Sequence, residues 1–432
     1  MSKISSNFDS GRIKVIDESD WAAMRLAILP DREGSDEFMG FYFAATGAKG
    51  RDCHYTLEDA GKSRWSRGFK DYRIVASYDR KDWFRIPATF DGSSLKWSHR
   101  PEQDRVSYAY HAPYTETERF SLIERCAASP LAKVESLGKT LEGRSIDLVT
   151  VGKPGPGKKS CWVLARQHPG ESMTEFAAEA LLDRLIDAAD PLSQSLLERA
   201  VFYVVPNMNP DGSIKGFHRY NAGFVDLNRS WSTTTVEESP ETWFVRERMR
   251  QTGVHFCYDI HGDESNHHPW PVRPVGVPSW SNKQATLLKR FEDALLVASP
   301  NYTPNLPKPN YDHAPGTDPL AMAISWTAET FGCVSFIIEL PFLDDIFHPD
   351  ERNGWVAAPL AAVRGGLSGS ARGRRRRPLR DCRLRGRSLS GNKHKAGSRR
   401  DQAKPGLDHA GSRQWITKPN SLTTGRLRCF RK

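Results

Sequence analysis

No stretch of the 432 residues approaches the roughly 18 to 20 consecutive apolar residues that a membrane span requires. The opening residues, 1–9, lack the apolar core of a secretory signal, so a cytoplasmic protein is expected. Cysteine is sparse and shows no framework. The seven thiols, at 53, 126, 161, 257, 333, 382 and 429, are odd in number and without paired metal-type spacing. Cys161, Cys257 and Cys333 fall in or beside apolar runs, which points to buried free thiols in a reducing compartment. Acidic residues are nearly missing from the end of the chain. Residues 365–432 hold 3 Asp/Glu against 20 Lys/Arg, and only nine Leu, Ile, Val or Phe in 68 residues. Such a segment cannot bury enough to fold. It reads as a disordered basic extension, as an out-of-frame ending, or as a tail for nucleic acid. The remaining 364 residues carry 42 basic and 49 acidic groups, so the overall charge of +10 misdescribes a mildly acidic body.

What is present is enough for two folded domains. Hydrophobic content of 38% suits a globular protein of this length. Residues 1–115 read as a small antiparallel β-sandwich domain. Tyr72-Arg73-Ile74-Val75-Ala76-Ser77-Tyr78 and Trp83-Phe84-Arg85-Ile86 are strand-like, and turn residues stand close between them. Residues 116–364 change rhythm. A helix over 115–126 is followed by apolar runs at 161–165, 201–205, 254–258 and 334–338, with helices predicted at 174–186 and near 283–298. Runs apolar on both faces, alternating with helices, predict an α/β class domain: α/β/α layers around a mixed, mostly parallel sheet. Ligands of such sheets bind beyond the carboxyl ends of the strands.

Chemistry collects at those ends. Arg166-Gln167-His168-Pro169-Gly170-Glu171-Ser172 follows the first run. Ser172 and Glu175 have capping-box spacing, so a helix start at Ser172 is expected. His168 and Glu171 then share one strand-to-helix turn, able to converge on a metal ion. A lone His-x-x-Glu is common by chance, and a lone buried histidine is usually just hydrogen-bonded. His261, in Asp259-Ile260-His261-Gly262 after the third run, changes that weighting. Two histidines and one glutamate make a three-ligand zinc site with a position open for water, the catalytic rather than the structural arrangement. Asp259 or another carboxylate nearby is expected to fix an imidazole tautomer. Glu339 ends the apolar 334–338 run, where an ionised carboxylate is costly without a purpose; beside a zinc-activated water it suits a general base. Arg219 and Arg229 lie between the second and third runs, Arg229 beside Asn228. Guanidinium groups suit a carboxylate or a developing oxyanion.

His168-x-x-Glu171, Asn209-Pro210-Asp211-Gly212, Asp226-Leu227-Asn228-Arg229, Asp259-Ile260-His261-Gly262 and Phe336-Ile337-Ile338-Glu339 stand in an order that resembles the zinc metallocarboxypeptidases. The β-rich residues before them and the Pro113-Tyr114-Thr115 junction resemble the cytosolic branch of that family. The likeness spans about residues 10–360. It implies a zinc exopeptidase acting on peptide or protein C-terminal tails, with one Zn2+ per chain. His168, Glu171 and His261 would be metal ligands and Glu339 the base. Asn228 and Arg229 would hold the substrate carboxylate, and Arg219 would polarise the scissile carbonyl. Glutamate is a candidate released residue, although Gly316-Thr317-Asp318-Pro319 brings no basic residue where glutamate-removing relatives carry one. Tyr302 and Tyr311 are the candidates for a substrate-facing tyrosine. A zinc deacylase of small N-acyl amino acids would use the same metal site; the Asn228-Arg229 pair and the full β-domain argue against it. Outside the basic tail, neither membrane nor nucleic acid is an expected partner.

Overall fold

Alternation of buried and exposed side chains shapes the N-terminal domain of the computed structural model, which describes residues 3–274, 276–299, 301–304, 318–345 and 349–354. Cys53–Leu57 and Leu95–His99 pair antiparallel, placing Tyr55 opposite Trp97 with their rings stacked at 4.9 Å. Nine strands form one sheet, in the order Ile4–Ser5, Tyr42–Thr46, Arg105–Ala109, Arg73–Ser77, Trp83–Phe90, Leu95–His99, Cys53–Leu57, Met24–Ala27 and Lys14–Asp17. The expected sandwich is therefore a single, nearly closed sheet, and it is not wholly antiparallel, because Met24–Ala27 runs parallel to Cys53–Leu57. The long Trp83–Phe90 strand explains the continuity. Its first half pairs with Arg73–Ser77 and its second half with Leu95–His99. Phe41, Phe43, Tyr55, Trp97 and Tyr108 fill the interior.

The second sheet has seven strands, in the order Ala132–Lys139, Ser145–Val151, Ala200–Val205, Lys159–Ala165, Phe256–Asp263, Val334–Pro341 and Trp270–Val272. Its four central strands, Ala200–Val205 through Val334–Pro341, are parallel, and its other three contacts are antiparallel. The sheet is mixed rather than mostly parallel. The two strands that tip the balance form a hairpin over 132–151, whose turn uses Gly143 at φ 84°.

Burial on both faces is visible in one strand. Trp162 and Leu164 join a cluster with Val245 and Met249 of the helix Pro240–Thr252 and with Trp326 of the helix Ala323–Phe331. Val163 and Ala165 join another, with Leu122 of Glu116–Ala128, Leu182 of Met173–Leu185 and Leu288 of Asn282–Ala298. Each fully buried aliphatic side chain stabilises by about 1.5–3 kcal/mol, so the α/β/α layering follows from runs apolar on both faces.

The two sheets occupy residues 4–109 and 132–341 within one compact unit, while the basic residues 365–432 lie outside the described residues. Among the described residues, Cys53, Cys126, Cys161, Cys257 and Cys333 are free thiols, all buried except the half-buried Cys161. No described helix is long and apolar enough to cross a membrane.

Candidate metal centre

Lys159–Ala165 ends at Arg166, which adopts φ 57°, a left-handed conformation rare outside glycine. Three hydrogen bonds fix it there. The buried Arg166 guanidinium donates to the carbonyls of Pro169 (3.0 Å) and Tyr114 (2.7 Å) and to Glu175 Oε2 (2.7 Å). The helix begins at Met173 with Ser172 as N-cap, where the spacing predicts it. The capping box does not form. Ser172 Oγ donates instead to the Ala112 carbonyl (2.7 Å), and the buried Glu175 accepts from Arg166 and from Asn207 Nδ2 (2.9 Å). Tertiary partners have displaced the local ones.

The turn between packs tightly on the loop carrying Arg219. Gly170 N–H donates to the His218 carbonyl at 3.0 Å, and a Cβ on Gly170 would stand 2.5 Å from His218 Nδ1. Only glycine fits that approach.

His168, Glu171 and His261 are buried together and can each turn one donor atom toward a common point, the one such group among the described residues. His168 Nδ1 lies 2.7 Å from Glu171 Oε1 and 3.2 Å from His261 Nδ1, which is 3.1 Å from Glu171 Oε2. Ligands of a tetrahedral zinc at about 2.0–2.1 Å stand about 3.3 Å apart, so these spacings fit that ion. The far ring nitrogens support the same fit. His168 Nε2 faces Asp226 Oδ1 (3.2 Å) and His261 Nε2 faces Asp259 Oδ2 (3.1 Å). Protons held at both Nε2 atoms leave both Nδ1 lone pairs for a metal. Asp259 thus does what its place in the motif suggests, and Asp226 is its counterpart. His267, six residues beyond His261, turns Nδ1 to the Asp344 carbonyl at 2.7 Å and stays out of this group.

Glu339 sits opposite His261 in the parallel pairing of Phe256–Asp263 with Val334–Pro341. Burial lifts its carboxyl well above the ordinary range; the charges of Glu171, Asp263 and Glu264 add to the rise and His261 opposes it. Burial works against a proton on His261, but in the metal-free site Asp259 and Glu171 outweigh it and favour that proton, which a metal bound at Nδ1 would replace. A buried carboxyl that favours its proton beside the His168, Glu171 and His261 group is able to exchange one there.

Arg219 reaches Asp226 Oδ2 through Nη2 at 2.7 Å. Burial disfavours its charge, yet Asp226, Glu37, Glu171 and Glu264 keep it firmly protonated. Asn228 is buried, its Oδ1 accepting from Ala323 N–H (3.1 Å), which turns Nδ2 toward His261 Nε2 (3.3 Å). Arg229 is exposed beside it, donating to the Asn228 carbonyl at 2.7 Å. The structure thus gathers every predicted site residue except the tyrosine. Tyr302 is packed into the sheet core at 1% exposure, 3.5 Å from Glu292 Oε1, so it faces no substrate. Tyr311, Gly316 and Thr317 lie outside the described residues.

Sequence reasoning left out Gln167, Asp31 and Glu37. Gln167 Nε2 donates to Asp259 Oδ2 (2.7 Å), and its Oε1 accepts from Trp231 Nε1 (2.9 Å). Its position beside His168 is the one signal that could have found it. A cavity of about 450 Å³ lies against the Asn282–Ala298 helix, lined by Arg273, Trp280, Leu288 and Glu292, and touches none of these groups.

Comparison with known proteins points to one family. Residues 4–111 match the model of the cytosolic carboxypeptidase N-terminal domain, and residues 121–353 match the zinc carboxypeptidase model. An uncharacterised Zymomonas mobilis protein is 37% identical over 353 residues, covering 82% of this chain and 91% of that one. Human cytosolic carboxypeptidase 2 is 31% identical over 292 residues, covering 60% of this chain but only 32% of its own length. A Pseudomonas aeruginosa metallo-carboxypeptidase, solved with (2-guanidinoethylmercapto)succinic acid, superposes with a TM-score of 0.78 at 38% identity, covering 84% of this chain and 96% of that one.

Proposed function

The chain belongs to the zinc carboxypeptidase family, and from that premise we propose that it removes the C-terminal residue of peptides or protein tails at the His168, Glu171 and His261 centre. The family makes it a hydrolase of the exopeptidase type. One observation carries the assignment of the site: three buried donor atoms crowd together at about zinc-ligand spacing, both histidines backed by carboxylates and Glu339 in register beside them.

His168, Glu171 and His261 would hold a zinc ion, which would supply the Lewis acidity that makes water a nucleophile near neutral pH. Glu339 takes the proton of the attacking water and returns it to the leaving amine, so its protonated form is part of the cycle. Arg219 donates to the scissile carbonyl oxygen as negative charge develops. Arg229, exposed at the rim, grips the terminal carboxylate, with Asn228 Nδ2 alongside as a second donor. A cytoplasmic setting fits the named relatives and the free thiols.

The test is zinc content by elemental analysis together with release of C-terminal residues from a peptide panel that includes glutamate and N-acyl amino acids. Wild type is run beside Glu339→Gln. One zinc per chain, with peptide release that Glu339→Gln abolishes, is the expected result. A folded protein without zinc would sink the site assignment, and turnover of N-acyl amino acids alone would replace the substrate class.

A further inference from the structure

Asp31 belongs to the N-terminal domain, between the strands Met24–Ala27 and Tyr42–Thr46, yet it is committed to the other domain. It is 5% exposed. Its two oxygens accept three consecutive backbone N–H groups about 190 residues away. His218 N–H donates to Oδ1 at 2.7 Å, and Arg219 and Tyr220 N–H donate to Oδ2 at 2.7 and 3.0 Å. Arg12 is close enough to feel the same charge. A carboxylate taking three amides in a row fixes the backbone path of that segment, because hydrogen bonds to a charged acceptor are about twice as strong as neutral ones. The segment carries Arg219.

The side chain of Arg219 is framed from the same domain. Glu37 faces Arg219 Nε at 3.9 Å, accepts from the Tyr220 hydroxyl and is itself held by Arg64 at 2.7 Å. The Trp65 ring lies 5.3 Å from the Arg219 guanidinium carbon and also packs on His218. Asp226 closes the other side at 2.7 Å. The guanidinium thus sits between an indole face and two carboxylates, its root pinned by a third. A general domain interface would require only apolar burial, whereas these polar groups converge on one three-residue segment.

We propose that the N-terminal domain is part of the catalytic apparatus, with Asp31 as the positioning residue of Arg219 and Glu37 and Trp65 limiting the swing of its guanidinium. This rests on the role given to Arg219 above. An arginine that must meet a developing oxyanion loses most of its value if displaced by about 1 Å, a misplacement worth up to 10²-fold in rate.

The experiment is a double-mutant cycle on the full, zinc-loaded chain, reading kcat and KM for a peptide substrate, zinc stoichiometry and thermal midpoint. Asp31→Asn keeps one acceptor oxygen of the carboxylate's two. It is expected to lower kcat about tenfold, with KM changed less than about twofold and zinc retained. In an Arg219→Ala background Asp31→Asn is expected to cost nothing further. Glu37→Gln is run in parallel in case Asp31→Asn does not fold, with a loss of about threefold that likewise vanishes beside Arg219→Ala. Losses equally large in both backgrounds, or no loss beside a damaging Arg219→Ala, would overturn the proposal alone. An Arg219→Ala enzyme with undiminished kcat would overturn the role of Arg219 first, and this proposal with it.

Discussion

His261 and Glu339 are register partners on adjacent parallel strands, so the spacing between the proposed metal ligand and the proposed general base is set by sheet hydrogen bonding rather than by a loop. Replacing Glu339 by Asp withdraws the carboxyl by one methylene and leaves the strand as it is. The expected outcome is a fall of about 10²-fold in kcat with zinc stoichiometry unchanged, checked by steady-state kinetics beside elemental analysis. An Asp variant within about twofold of wild type would mean that Glu339 works through a flexible relay.

Asp259 faces His261 Nε2 and takes the Gln167 amide, and it touches neither Arg219 nor Glu339 through any of these bonds. Asp259→Asn should weaken zinc affinity about 10–100-fold, the usual cost of losing the carboxylate behind a ligand imidazole. Competition with a chelator of known affinity measures it. At saturating zinc, kcat should recover most of its wild-type value.

Gly170→Ala puts a methyl where only 2.5 Å separates the site from His218 Nδ1 and 2.9 Å from the His218 carbonyl oxygen. Backbone cannot yield there cheaply. Overpacking of this kind costs about 1–3 kcal/mol, which a urea unfolding curve will read, and the loss of activity should exceed what that destabilisation explains, because the ligand turn and the Arg219 loop are pushed apart.

Glu241 opens the Pro240–Thr252 helix, fully buried, with Asn221 Nδ2 3.3 Å from Oε2. Burial, with Asp211 adding, pushes its carboxyl from the ordinary 4.5 up to about 7. The folded chain therefore holds a proton that the unfolded chain has released, so stability is lost as pH rises between those values. The full effect is about 3 kcal/mol. Glu241→Gln should match wild type near about pH 4.5 and exceed it above about pH 7, both proteins stripped of metal, by urea midpoints. Identical profiles would show that Glu241 ionises without cost.

The motifs of the proposed site are legible in the chain because each is local: His168 and Glu171 share a turn, Asn228 and Arg229 are adjacent, and Glu339 ends an obvious apolar run. The central strands are legible for the same reason, being apolar on both faces. The edge strand Ala132–Lys139 is not, since none of its positions is fully buried and no period of two survives. Ser172 and Glu175 mislead because a local capping pattern competes with Arg166 and Ala112, which reach them only in the folded chain. Asp31 is invisible at 188 residues from Arg219, where no spacing rule operates.

Asp226 gives one oxygen to His168 Nε2 and the other to Arg219 Nη2. On the proposed roles, a single carboxylate thus yokes the electron donation of a metal ligand to the reach of the arginine offered to the substrate. A substitution at Asp226 would disturb both contacts at once. On those roles, side chains away from Asp226 are the ones that can retune which residue is accepted while leaving the chemical step alone.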